Sequence, residues 1–279
     1  MKIKTVLVIG ANGMLGNNCV QFFESKGLQT IKITRKEFDI CKDSIKNLAP
    51  YLKRSDFIIN CSGIIKQVIS KYKIDEILEV NSIFPRKLAK FCKMYNKKLF
   101  HITTDCVFSG AKGNYSENDI FDADDIYGIS KMLGESHDCM TIRTSIIGIE
   151  KNKSNSLFGW AINNSNKKVN GYINHIWNGV TTFYLAEVLY NIIKSNYYKP
   201  GIFHVFSKEK ISKFKLLKLF NEIFNLNLQI IPYKTEHKCD RSLTSIYSIS
   251  KRFSLLSIKD QLLQMKEYYD TIKKGTLYD

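Results

Sequence analysis

Val6-Leu7-Val8-Ile9-Gly10-Ala11-Asn12-Gly13-Met14-Leu15-Gly16 is the stretch on which the fold turns. Its apolar, β-branched start reads as a buried strand, and a helix begins inside the glycine pattern that follows. Glycines here allow a tight turn, let the backbone approach a pyrophosphate, and let the helix pack on the sheet. The helix then presents its N-terminal amides and the positive end of its dipole to the phosphates. Gly10, Asn12, Gly13, Met14, Leu15 and Gly16 are therefore candidate cofactor-binding residues.

The same alternation continues outward. Apolar runs and helical patterns follow one another at Lys4–Ile9 and Met14–Lys26, Thr30–Ile33 and Ser44–Leu52, Phe57–Asn60 and Ile74–Tyr95, Leu99–Thr103 and Tyr127–His137, ending in Met140–Ile147. Repetition of this kind predicts right-handed βαβ units and a doubly wound, Rossmann-like parallel sheet. After residue 150 the pattern loosens into Lys-, Asn- and Ser-rich turns around 151–156 and 163–171, then resumes with amphipathic stretches Phe183–Lys194 and Lys213–Phe224 around a strand-like Gly201–Phe206. The expected division is a cofactor domain over 1–150 and a smaller α/β, mainly substrate-binding domain over 151–279.

At 279 residues, with 44% hydrophobic and 24% charged side chains, the composition is that of a globular protein. Net charge is the outlier, +16, but 36 of the 42 basic residues are Lys. Arg forks, which read base edges, are few, and no recognition motif accompanies the Lys, so nucleic-acid binding is not expected. The excess is uneven, +5 over 1–150 and +11 over the remainder. No run approaches the length of a membrane span, and the N-terminal apolar run flows into a glycine turn instead of a cleavage site. Seven cysteines without a Cys-x-x-Cys pair indicate reduced thiols in a cytoplasmic chain, with neither zinc nor a disulfide framework.

The spacing Gly-x-x-Gly-x-x-Gly resembles that of the extended short-chain dehydrogenase/reductases. In many dinucleotide sites an acid after the second strand binds the ribose 2′-hydroxyl. Here the strand ends Ile33-Thr34-Arg35-Lys36, so Arg35 is expected to meet a 2′-phosphate, making NADP(H) the preferred cofactor with NAD(H) the alternative. By the resemblance, Asp39 and Ile40 lie beside the adenine, and Cys61, Ser62 and Gly63 form the loop over the cofactor ribose.

Tyr127-Gly-Ile-Ser-Lys131 puts Tyr and Lys on one helix face, where an ammonium can lower a phenol pKa of about 10. Thr104 stands 23 residues earlier, at a strand's carboxyl end, where α/β sheets place their ligands. Thr104-Asp-Cys-Val-Phe-Ser-Gly110 followed by Tyr127-Gly-Ile-Ser-Lys131-Met-Leu-Gly-Glu135 resembles the dTDP-4-dehydrorhamnose reductase branch of that family. The resemblance covers residues 1–150 well and the rest weakly. It implies that Thr104 polarises a sugar C4 ketone and Tyr127 donates the proton. Lys131 would lower the Tyr pKa and hold the nicotinamide ribose, and Asn81 would complete a relay.

Cys106 stands where these reductases usually have Tyr, and Ile146 where they often have Trp, which puts a rhamnose-type sugar in question but not the reaction type. The missing Glu after Asp105 disfavours elimination chemistry. The acids between Glu117 and Asp125 read as a solvated loop, not a metal site. On the substrate side, Arg143 belongs to the strand that Ile146 continues. Asn174 and Trp177 lie in Gly171–Thr181, which has the look of a substrate loop, an aromatic there stacking on the base or simply anchoring the loop. Arg241 resembles the family's late diphosphate-binding Arg.

The expected activity is thus NAD(P)H-dependent reduction of a UDP- or dTDP-linked 4-keto-6-deoxy sugar. An NAD-retaining epimerase and a non-catalytic NADP-binding subunit are the alternatives. A homodimer is left open, and the resemblance implies that the strand near Gly201–Phe206 returns to the main sheet.

Overall fold

The structure, a computed structural model, describes residues 4–150 and 156–275, with side chains through 271. Strands β1 (Thr5–Ile9), β2 (Gln29–Ile33), β3 (Phe57–Asn60), β4 (Lys98–Thr104) and β5 (Met140–Thr144) come first. They are followed by β6 (Ile146–Ile147), β7 (Lys168–Tyr172), β8 (His175–Trp177), β9 (Val180–Thr181), β10 (Gly201–His204), β11 (Ile211–Ser212), β12 (Gln229–Tyr233) and β13 (Cys239–Asp240). The helices are α1 (Met14–Ser25), α2 (Ala49–Lys53), α3 (Ile74–Leu78), α4 (Phe84–Met94), α5 (Ile126–Leu133), α6 (Leu157–Asn163), α7 (Thr182–Lys194), α8 (Lys213–Phe224), α9 (Ser248–Arg252) and α10 (Ile258–Gly275).

Six strands form one parallel sheet in the order β10-β5-β4-β3-β1-β2. Its strands are near-continuous apolar runs because helices cover both faces. On one face α1 and α7 bury Phe22, Phe23, Leu185 and Leu189 against Val6, Val8 and Phe100. On the other, α4 buries Phe84 and Leu88 against Leu7, Ile9 and Ile58. A separate apolar cluster joins α6, α8 and α10 around Phe158, Phe220, Leu262 and Trp177. The Rossmann-like α/β architecture read from the sequence is the one observed.

The register aligns the carboxyl ends. Ile9 pairs with Asn60, Asn60 with His101, and Thr104 with Thr144, so the loops after β1, β3, β4 and β5 open on one edge. β10 adds to that sheet beside β5, although it follows the C-terminal segment begun after residue 150. The expected boundary falls at 151–155, outside the described residues. Among the described residues no helix is long and apolar enough to cross a membrane.

Several local expectations are corrected. The helix expected over Tyr127–His137 stops at Leu133, where the Gly134 and Glu135 N–H groups tighten onto Lys131 O and Met132 O and Gly134 lies against the Asn81 carbonyl. The strand expected over Met140–Ile147 breaks at Ser145, whose carbonyl accepts from Val180 N–H at 2.8 Å. The expected turns at 163–171 contain the start of β7, which pairs with β12. Gly171–Thr181 is not one loop, since it holds β8 and β9.

Candidate active site

Gly10 sits at φ +80, and a methyl group there would stand 2.9 Å from Ser62 N. At Gly16 it would stand 2.2 Å from Gly10 O. Only glycine permits this turn at one position and this closeness at the other. Gly10 and Ala11 N–H both donate to Ile33 O, tying the turn to the end of β2. No side chain caps α1 and no acid occupies its first turn, so its leading amides are available to an anion. Asn12 and Gly13 are exposed, Met14 is half-buried, and Leu15 is turned into the core. The cradle fits a dinucleotide pyrophosphate.

Beyond β2, Arg35 Nε donates to Asp39 Oδ2 at 3.1 Å, with the Arg35 side chain 64% exposed and Asp39 16%. Asp39 also accepts from Cys41 N–H, and Ile40 packs on the α4-side core. Across the turn, Cys61 N–H donates to Ile9 O, and Asn60 Oδ1 accepts from Ser62 N–H and Oγ–H. The Cys61–Gly63 loop is thereby fixed against the glycine turn.

Thr104 ends β4 and is buried, its hydroxyl accepting from Cys106 N–H at 3.1 Å and donating to Asp105 Oδ1 at 3.2 Å. Tyr127 is the second residue of α5, a helix capped where Asp125 Oδ1 accepts from Gly128 N–H at 2.8 Å. Burial pushes the phenol well above its ordinary pKa and Cys106 adds to the rise, while a hydrogen bond with Thr104 opposes it. The expected depression by Lys131 is therefore not what the protein alone shows. The Lys131 ammonium points under the strand instead, donating to Ile102 O at 3.1 Å. Burial lowers its pKa to about 8, with Glu135 and Cys61 pulling the other way. Tyr127 thus stays protonated well beyond neutrality, the state a proton donor needs.

Asn81 lies in a π-helical turn, Glu79–Ile83, between α3 and α4. Its Oδ1 accepts from Ile64 N–H at 2.9 Å, and its Nδ2 donates to Ile64 O and Ser130 Oγ. Both Asn81 Oδ1 and Lys131 Nζ border Gly63, 3.4 and 3.6 Å from where its Cβ would be. Asn81 therefore clamps the segment after the Cys61–Gly63 loop to α5 beside Lys131.

On the substrate side three expectations are corrected. Arg143 is 1% exposed: its Nε and Nη2 donate to Glu135, its Nη1 meets His204 Nε2 at 3.3 Å, and its guanidinium lies over Phe121. Its donors are consumed inside the protein. Asn174 spends its amide on the Thr235 backbone and hydroxyl. Trp177 is 3% exposed, its Nε1–H donating to Ser145 Oγ at 2.8 Å, so it is an anchor and not a stacking face.

Arg241 Nε donates to Phe108 O at 2.8 Å, and its charge bears on Asp105 and Cys106. The Cys106 thiol is pushed up to about 12 by burial and by Asp105, which leaves it unreactive. The acids between Glu117 and Asp125 are used locally: Glu117 accepts from His204, Ser245 and Ile246, Asp119 from Ser116, and Asp122 from Ser109.

Two residues of the site were not singled out by sequence. Glu135 extends the Tyr127–Lys131 spacing by a further four residues, a signal present in the sequence. Lys213 had no such signal, being one of many lysines. Its ammonium lies 4.8 Å from the Trp177 ring.

A family model described as RmlD substrate binding domain matches residues 4–261. The spore coat polysaccharide biosynthesis protein SpsK of Bacillus subtilis is 26% identical over 253 residues, 88% of each chain. The dTDP-4-dehydrorhamnose reductase of Mycolicibacterium smegmatis is 28% identical over 133 residues, 47% of this chain and 40% of that protein. The crystal structure of Bacillus anthracis dTDP-4-dehydrorhamnose reductase in complex with NADP superposes with a TM-score of 0.80 at 21% identity, covering 95% of this chain and 99% of that one. With its glycine turn, its Thr104–Tyr127–Lys131 cluster and a match over nearly its whole length, the chain belongs to the RmlD substrate binding domain family.

Proposed function

We propose that the protein is an NAD(P)H-dependent reductase of the C4 ketone of a nucleotide-linked 4-keto-6-deoxy sugar, acting in deoxysugar precursor synthesis. The observation that carries this reading is that Tyr127 meets Thr104 at the carboxyl end of β4 while Lys131, four residues along α5, reaches Ile102 O beside Gly63. Gly10–Gly16, Arg35, Asp39, Ile40 and the Cys61–Gly63 loop would hold a nicotinamide dinucleotide, which would supply the hydride. Thr104 Oγ1 donates a hydrogen bond to the ketone oxygen and fixes the carbonyl. Tyr127 gives that oxygen its phenolic proton as it becomes an alkoxide. Lys131, charged below about pH 8, holds the ribose and stabilises the phenolate left behind. In this reading Asn81, across Gly63 from Lys131, would complete the relay that returns the proton.

NADPH is the preferred cofactor in this reading, supported by the exposed Arg35 guanidinium beyond β2. Residues 151–279 supply most of the sugar-nucleotide side, with Cys106, Ile146 and Arg241 bordering it. SpsK, similar over most of its length, is named for polysaccharide biosynthesis, which agrees with a nucleotide-sugar substrate. The test is NADPH oxidation with a panel of UDP-, dTDP- and GDP-linked 4-keto sugars, followed by nicotinamide absorbance. Turnover with at least one sugar, lost in Tyr127→Phe, is expected; no turnover with any of them overturns the reading.

A further inference from the structure

Helix α10 starts inside the family match, which ends at residue 261, and runs on to Gly275. Ile258, Leu262 and Met265 fall on one helical face and are wholly buried, in the cluster that holds Phe158, Trp177 and Phe220. Gln261, also buried, accepts from Thr181 N–H at 3.0 Å, at the end of the strand that pairs with β6. Lys266 Nζ donates to Ile223 O at 2.8 Å in the last turn of α8, where carbonyls have no helical partner. The first half of α10 is thereby fixed to the C-terminal elements.

Continuing the same stripe, Tyr269 reaches the cofactor half. Its hydroxyl donates to Asn18 Oδ1 at 2.8 Å, a contact across 251 residues, and is the only donor to that oxygen among the described residues. Burial pushes the phenol up to about 12 against the opposing hydrogen bond with Asn18, so the hydroxyl keeps its proton. Asn18 is 1% exposed, and its Nδ2 donates in turn to Met14 O at 2.7 Å. Met14 is the first residue of α1, the helix whose leading amides carry no side-chain cap. Beside this chain of bonds, the Tyr268 ring lies 4.7 Å from Phe183, which meets Phe22 of α1 edge-on at 5.2 Å. Without the Tyr269 hydroxyl, Asn18 Oδ1 is buried and unpaired, and an amide that turns to find another donor gives up its bond to Met14 O. The first turn of a helix is where fraying begins.

We propose that α10 is a strut from the C-terminal elements to the dinucleotide cradle, and that Tyr269 and Asn18 are positioning residues that keep the first turn of α1 set for a pyrophosphate. The proposal rests on the nicotinamide-dinucleotide part of the reading above and on no particular sugar. Neither residue contacts the cofactor in it; they act on the amides that do. NADPH and NADH share the pyrophosphate, so both depend on this pair alike, in contrast to the selectivity given to Arg35.

The test is fluorescence titration of NADPH and NADH into wild type, Tyr269→Phe, Asn18→Leu and the double variant, with thermal unfolding of each protein free of nucleotide. Titrations are run well below the lowest melting temperature, so that a variant that is merely less stable binds as wild type does. Tyr269→Phe keeps the ring's packing and loses only the hydroxyl. It is expected to weaken both nucleotides about three- to tenfold, the worth of one hydrogen bond. In the Asn18→Leu background the same change is expected to add nothing, because the hydroxyl acts through Asn18. A loss confined to one nucleotide, or a full further loss in the double variant, overturns the proposal. Wild type that binds neither nucleotide overturns the cofactor reading and this proposal with it. Wild type that binds both, with Tyr269→Phe unimpaired, sinks this proposal alone.

Discussion

Lys131 is a buried ammonium and Lys213 a half-buried one, and desolvation draws both to about 8. Their surroundings differ. Lys131 donates to Ile102 O and faces Glu135 just past the end of α5, and Glu135 is itself fixed by the Arg143 fork. Lys213 has an aromatic ring beneath it and shares one reluctant carboxylate with Arg241. Where charges are matched, the side chains are held by the protein itself; where they are not, an ammonium keeps its donors free. Substitutions on the first side should therefore act on turnover or folding, and on the second side on affinity.

The harshest way to break that contrast is Tyr127→Phe. The ring keeps its packing and loses only the proton, so kcat should fall by about 10²- to 10⁴-fold while KM for the sugar nucleotide changes little. A loss that appears chiefly in KM would mean the cofactor side also works by binding.

Next in size is Arg143→Leu. It leaves Glu135 buried without its partner, and a broken buried ion pair costs about 3–5 kcal/mol. Denaturant unfolding should show that loss, while Lys213→Met should leave stability unchanged or slightly raised because it removes a cation the fold does not match. A mild Arg143→Leu together with a severely destabilised Lys213→Met would reverse the comparison.

The same contrast explains what could be read from sequence. The cofactor half announces itself because its elements are long and periodic and because Gly10 and Gly16 have no substitutes at a left-handed turn and a 2.2 Å approach. The Tyr127–Lys131 spacing was legible for a similar reason, being local to one helix. The C-terminal part is assembled from strands of two to five residues, too short for a period of two to stand out: β7 alternates in burial over only five residues, and β12 is exposed along most of its length. Arg143, Asn174 and Trp177 looked like binding groups because sequence gives residue type without direction. Glu135, His204, Thr235 and Ser145, which consume them, lie 8 to 61 residues away. Lys213 was hidden by numbers, since 36 lysines give no reason to single out one.

A smaller effect is expected in the pH dependence of turnover. Lys131 is charged below about 8 and neutral above it, so kcat should hold on the acid side and decline as pH rises through that value. Glu135 raises the Lys131 pKa, so Glu135→Gln, which keeps an acceptor for Arg143 but removes the charge, should move the declining limb to lower pH. An unmoved limb would show that the matching of Lys131 by Glu135 is structural only. Loss of Arg143 alone cannot make this distinction, because it acts through folding.

The smallest effect sharpens the comparison at the outer rim, where matching and binding compete for one group. Arg35 is held by Asp39 at 3.1 Å, yet its side chain is 64% exposed. An exposed pair of this kind is worth about 0.2–1 kcal/mol. A charge-assisted hydrogen bond to a 2′-phosphate is worth more, about 1.5–3 kcal/mol. The phosphate should therefore win Arg35 from Asp39, and the difference leaves about a tenfold preference resting on this residue. Arg35→Ala is expected to weaken NADPH binding by about that factor and to leave NADH nearly unchanged, as read by nucleotide fluorescence titration. Asp39→Asn, which releases Arg35 from its partner, should shift the balance the other way and strengthen NADPH. Equal losses for the two nucleotides in Arg35→Ala would show that Arg35 serves the matched network of the rim and reads no phosphate.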